Sequence, residues 1–370
     1  MSREPVSRYP RSFGICAVAT VAAIFVASAD AVTISTVPVG YPGNAPDPLV
    51  ASGNTTGYGA VAYSYNIGQY DVTNAQYVEF LNAKAATADP YGLWSSQMDP
   101  SNSEGAISRT GSGLFTYAVK PGYANKPVVY VSWYDAVRFV NWLTNGQGNG
   151  DTESGTYLIT SGGYNSGTVA VPSTAQRAIW AATNSIHWLL PCEDEWYKAA
   201  YFNGSDGTYY AYPFQSNLVP VAATPPGAAN TGNFQGTSLN RYPAFNYDGN
   251  GSHLTDVGAY QQSTSPFGAF DMGGDVFQWD DALFTPANFG PFGGLRGGGW
   301  DGNPSNSASV GPRISGMGAQ QEGDDTGFRV ASVPEPASFV LALIGLIAAV
   351  ISSHASRAQL SWFAGCIRAK

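Results

Sequence analysis

The sequence predicts an irregular α+β domain, mixed in its elements and low in regular secondary structure. Three observations predict it. Helix signals occur at three separated places, each a short apolar stripe behind a capping residue. Between them lie short strand-like runs cut by Gly and Asn turns. With 44 glycines, 22 tyrosines and only 12% charged residues, the composition suits a loop-rich exported protein rather than a cytosolic helical one.

From the N-terminus, residues 1–29 read as a secretory signal peptide. Arg3, Arg8 and Arg11 supply the positive start, Phe13 to Ala27 is apolar, and Ala27-Ser28-Ala29 fits a small-x-small cleavage site. Residues 30–57, rich in Gly, Pro, Asn and Thr, read as an irregular leader. Val61 to Tyr70 alternates well enough for a strand. Thr73 with Gln76 makes a capping box for a first helix, whose Tyr77, Phe80 and Leu81 share a face. Ser132 with Asp135 opens a second, striped by Ala136, Phe139, Val140 and Leu143. A third follows Leu190 to Trp196, with Trp196, Ala199 and Ala200 facing inward. The domain spans 58–332. After it, Val333-Pro334-Glu335-Pro336 precedes an apolar stretch from Ala337 to Ile351, and Arg357 follows. Residues 333–357 thus resemble the PEP-CTERM sorting signal of Gram-negative bacteria. That resemblance implies an exosortase-type sorting protease as a partner, and a location in the cell envelope or outside the cell. The apolar stretch is short for a permanent transmembrane helix, so its membrane contact is expected to be transient. Residues 358–370 form an extra tail.

The net charge of −9 argues against nucleic acid, which needs a basic face; an acidic, oxygen-rich surface suits hard cations instead. Of the three cysteines, Cys16 lies in the signal and Cys366 in the tail, leaving Cys192 alone in the domain. An internal disulfide or a two-cysteine metal centre is therefore excluded. The three histidines, His187, His253 and His354, are too few for a zinc or iron cluster. Ser-His-Asp catalysis lacks its Gly-x-Ser-x-Gly elbow. Asp280-Asp281 and Asp324-Asp325 read as solvated turns.

Two further motifs stand near the end of the domain. Phe267 to Trp279 runs Phe-Gly-Ala-Phe-Asp-Met-Gly-Gly-Asp-Val-Phe-Gln-Trp, and Leu295-Arg296-Gly297-Gly298-Gly299-Trp300 follows before Gly327-Phe328-Arg329-Val330 closes it. Together with Tyr70 to Tyr77, Pro127 to Trp133 and Leu190 to Trp196, they occur in the order of the formylglycine-generating enzyme (sulfatase-modifying factor) family, which the chain resembles over about residues 60–332. The resemblance implies a fold related to that of C-type lectins. It also implies structural calcium. One site would fall on Asp271, Gly274, Val276 and Gln278, where Gln replaces a family Glu. A second would take Asn230, with Asp248 and Asn250 in the Asn-Tyr-Asp-Gly-Asn-Gly-Ser run that resembles half an EF-hand loop. The enzymes of this family bind copper through two thiolates, and those positions fall here near Gly302 and Ser307. Neither can hold Cu(I), so copper is not expected.

The preferred expectation is a non-catalytic, exported member that binds a glycan, matrix polymer or protein. Its ligand-binding residues would be Trp300, Asp301, Asn303, Asn306 and Arg313, an aromatic wall with a few polar groups. The alternative is a formylglycine-generating or related oxidase working without thiols. Arg329 reads as a structural ion-pair partner, and Cys192 as a helix cap.

Overall fold

The computed structural model describes residues 31–49, 57–183, 185–235, 252–285, 290–307 and 314–333. Residues 1–30 and 334–370, which hold the segments read as a signal peptide, most of a sorting signal and an extra tail, lie outside these residues. Among the described residues four helices exceed two turns: α1 (Asn74–Lys84), α2 (Trp133–Thr144), α3 (Thr174–Thr183) and α4 (Glu193–Tyr201); a single helical turn follows at Pro304–Ser307. The three expected helices start where their caps lie. Thr73 accepts from the Gln76 N–H at 3.3 Å while the Gln76 side chain accepts from the Thr73 N–H at 2.9 Å. Ser132 and Asp135 make the same reciprocal pair for α2, at 3.2 and 2.8 Å. For α4, Cys192 holds the cap position and its N–H donates to Glu195 at 2.8 Å.

Two four-stranded sheets frame the core. One is wholly antiparallel and runs Thr36–Val39, Tyr65–Gly68, Ala331–Val333, His187–Leu189. The other runs Ile314–Gly318, Phe292–Arg296, Phe277–Phe284, Thr326–Phe328, its last pair parallel. The leader was expected to be irregular, yet Thr36–Val39 is the edge strand of the first sheet. A half-buried Thr-Val-Pro-Val run pairs readily there, because its proline needs no ladder donor on the open side. The strand expected from Val61 to Tyr70 is shorter, Tyr65–Gly68, and all four of its residues are buried.

Three fully buried tryptophans tie the sheets to the helices. The Trp133 indole N–H donates to the Asp280 carbonyl at 2.8 Å, and that of Trp279 to the Val131 carbonyl at 3.0 Å. That of Trp196 donates to the Gln278 side chain at 2.7 Å. Each places a large apolar body in the core and satisfies its one donor.

Helix α3 was not anticipated, although Ser173 accepts from the Gln176 N–H at 3.2 Å and is a legible cap. Its Arg177 is buried and pairs with Glu195 at 2.7 Å and with Asp281. This corrects the reading of Asp280-Asp281 as a solvated turn. Both are buried in the strand Phe277–Phe284, because Arg177 neutralises one and the Ala282 N–H bonds the other. Among the described residues no helix is long and apolar enough to cross a membrane.

Candidate functional site

The turn from Asp271 to Trp279 is built by backbone shape. Asp271, Gly274 and Asp275 all have positive φ, at 56, 81 and 64°. At Gly274 a Cβ would lie 2.6 Å from the Asn233 carbonyl oxygen, so only glycine fits. Asp271 Oδ2 accepts from the Gly258 N–H at 2.7 Å. Asp275 Oδ1 accepts from Asn233 at 2.6 Å and from the Thr255 N–H at 3.0 Å. Burial pushes Asp271 up to about 6 and Asp275 up to about 7.

The structure places Asp271, Gly274, Val276 and Gln278 in one turn, where hydrogen bonds already engage several of the groups that a calcium shell would use. The Gln278 oxygen accepts from Trp196 and from Arg329, each at 2.7 Å. Its amide nitrogen faces the turn and donates to the Asp271 carbonyl at 2.6 Å. The Gly274 carbonyl accepts from the Val276 N–H at 2.9 Å. The residues present therefore fit a hydrogen-bonded turn rather than a cation. Asn230 stands elsewhere, with φ 60° and its amide N–H groups on the Leu218 and Val219 carbonyls at 3.2 Å. Its Oδ1 is buried without a partner. Asp248 and Asn250 lie outside the described residues.

The expected ligand wall is differently made. Trp300 is only 8% exposed and its ring stacks on His253, with centroids 4.1 Å apart and planes at 7°. The imidazole Nδ1 lies 2.8 Å from Glu104, which also bonds the His253 N–H and the Ser252 hydroxyl. Trp300 thus has no open face for a sugar, because histidine covers it. Asp301 is exposed and lies beside Asp325, which burial and the neighbouring Asp301 charge push up to about 7. Asn303 is exposed but turns its oxygen onto the Ser305 N–H at 2.9 Å. Arg313 lies outside the described residues, as does the side chain of Asn306. No sequence signal marked Glu104, 149 positions from His253.

Cys192 is half-buried, and desolvation with the adjacent Glu195 carboxylate pushes its thiol well above the usual range. That suits a structural cap rather than a reactive thiolate. Among the described residues no three His, Cys, Asp or Glu side chains are grouped to hold a metal.

A groove lies between the Leu158–Gly163/Ser166–Ala170 hairpin and Pro291, just before the strand Phe292–Arg296. Its volume is about 520 Å³, and Tyr134, Tyr164, Asn165, Ser166, Pro291 and Gln320 line it. No lining side chain is charged. Tyr164 is 63% exposed and Gln320 is exposed, whereas Tyr134 is buried.

No curated protein matches the chain. Among solved structures, CarF is 17% identical over 82% of this chain and 99% of its own, with a TM-score of 0.50. Treponema denticola variable protein 1 is 18% identical over 81% and 95%, at 0.46. PvdO from Pseudomonas aeruginosa is 19% identical over 81% and 92%, at 0.35. The likeness to CarF is one of fold. Residues 58–333 match the sulfatase-modifying factor enzyme 1-like domain, and the chain belongs to that family.

Proposed function

We propose that this protein is an exported, non-catalytic member of the family that binds a neutral glycan in the groove beside Tyr164. The observation that carries the reading is the groove's lining: an exposed aromatic ring, an exposed amide and a hydroxyl, with no charge. Sugars offer a flat apolar face and many hydroxyls, which such a lining matches. Its volume falls within the roughly 300–1,000 Å³ of small-molecule sites. The burial of Trp300 beneath His253 moves the proposed platform away from residues 300–306. Asp301 and Asn303 keep exposed polar atoms there and would serve a separate, weaker contact.

The absence of a second cysteine between residues 58 and 332 supports the non-catalytic reading, since Cu(I) chemistry of the family type needs two thiolates. The buried, unpartnered Asn230 oxygen supports a structural calcium at Asn230, for which the sequence offers Asp248 and Asn250 as further ligands. The end signals support export, sorting to the envelope of a Gram-negative cell, and exosortase-type processing that leaves an end near Val333–Pro336. Intact mass of protein from its native envelope checks this; retention of Lys370 in most molecules would leave the tail as an anchor.

Two experiments separate binding from oxidation. Screening against neutral oligosaccharides should give hits abolished by Tyr164→Ala. Incubation with a cysteine peptide of sulfatase type, copper and oxygen should leave the peptide mass unchanged; conversion to the aldehyde would establish the oxidase reading instead.

A further inference from the structure

We infer that the Gln278 side-chain amide takes the place of a cation in the Asp271–Trp279 turn, so that this turn closes without calcium. Gln278 is fully buried. The two groups against its oxygen, the Trp196 indole N–H and the Arg329 Nε–H, can only donate. The group against its nitrogen, the Asp271 carbonyl, can only accept. The amide orientation is therefore forced by its partners, and no flipped arrangement satisfies all three.

Two consequences follow for a cation. The Gln278 oxygen already receives two hydrogen bonds, one from a guanidinium that Asp71 holds in place at 2.9 Å. A metal ion would have to displace that N–H and sit beside the positive charge of Arg329. The opposite end of the amide presents hydrogens, not lone pairs, to the Asp271 carbonyl. Those hydrogens do the work a cation would do, drawing the carbonyl into the turn. A glutamate at 278 would behave in the opposite way. One of its oxygens would keep Arg329 and Trp196, while the other would face the Asp271 carbonyl, oxygen against oxygen. Only a proton or a metal ion between them relieves that contact.

The test is thermal unfolding of the full chain in calcium and in chelator. Gln278→Glu should melt roughly 5 °C below wild type in chelator and recover part of the loss in excess calcium, as a site created by the added carboxylate. Asp271→Asn, which removes the charge and keeps the backbone carbonyl, should leave the wild-type calcium response unchanged, whatever the Asn230 loop contributes to it. A wild-type calcium response that disappears in Asp271→Asn would overturn the inference. So would a Gln278→Glu protein that is as stable as wild type in chelator and indifferent to calcium.

Discussion

Arg329 and Asp71 lie 258 positions apart in the chain and meet at 2.9 Å, both side chains fully buried. The same guanidinium donates to the Gly68 and Phe270 carbonyls, each at 2.9 Å, and to Gln278. One planar fork thus joins a strand of the first sheet to the Asp271 turn.

Removing one partner leaves the other charge buried and uncompensated. Arg329→Met should cost about 3–5 kcal/mol, read from urea unfolding. The double variant Asp71→Leu/Arg329→Met should recover a large share of that loss, because no orphan charge is left. Equal losses in the single and double variants would assign the cost to packing rather than to the pair.

Gly274 combines a left-handed backbone with a close carbonyl. Gly113 has a similar φ, 80°, with nothing near its missing Cβ. Gly113→Ala should therefore show the backbone cost alone, on the order of 1 kcal/mol. Gly274→Ala should exceed it clearly, since its Cβ would meet the Asn233 oxygen at 2.6 Å. Matching losses at the two sites would show that the turn relaxes around the new methyl.

Stability should rise as the solution is made mildly acidic. Burial pushes Asp135 up to about 8, and Asp275 and Asp325 to about 7, against an unfolded value of about 3.9. The folded state then holds protons that the unfolded state has released. The stabilisation is fully present below about pH 4 and is lost as pH rises through 7 to 8. His187 and Lys198, both pushed down by desolvation, Lys198 to about 8, oppose this in part. The urea midpoint should be higher at pH 5.5 than at pH 8.5, and Asp135→Asn should flatten the difference. A midpoint that climbs with pH would reverse the assignment.

Tyr164 is exposed, so its loss should leave folding intact. Tyr164→Ala should weaken glycan binding at least about tenfold, equivalent to roughly 1.4 kcal/mol, with an unchanged melting temperature. Gln320→Ala should weaken it less, having only the amide contact to lose. Titration calorimetry with the best oligosaccharide from the screen reads both. Binding that survives both changes would place the ligand elsewhere.

The sequence by itself determined the resemblance to the family, the three capped helices and the presence of a single cysteine, Cys192, between residues 58 and 332. Those features are local or compositional: Thr73 with Gln76 and Ser132 with Asp135 cap within one turn, and a cysteine count is visible without a fold. Only the tertiary structure decided what Gln278, Trp300, Asp281 and the leader do. The Gln278 amide is oriented by Trp196 and Arg329, 82 and 51 positions away. Trp300 is covered by a histidine 47 positions before it, Asp281 is neutralised by Arg177, and Thr36–Val39 finds a sheet edge. Burial and hydrogen bonding across such separations depend on which surfaces the fold brings together, and residue types and spacing do not carry that information.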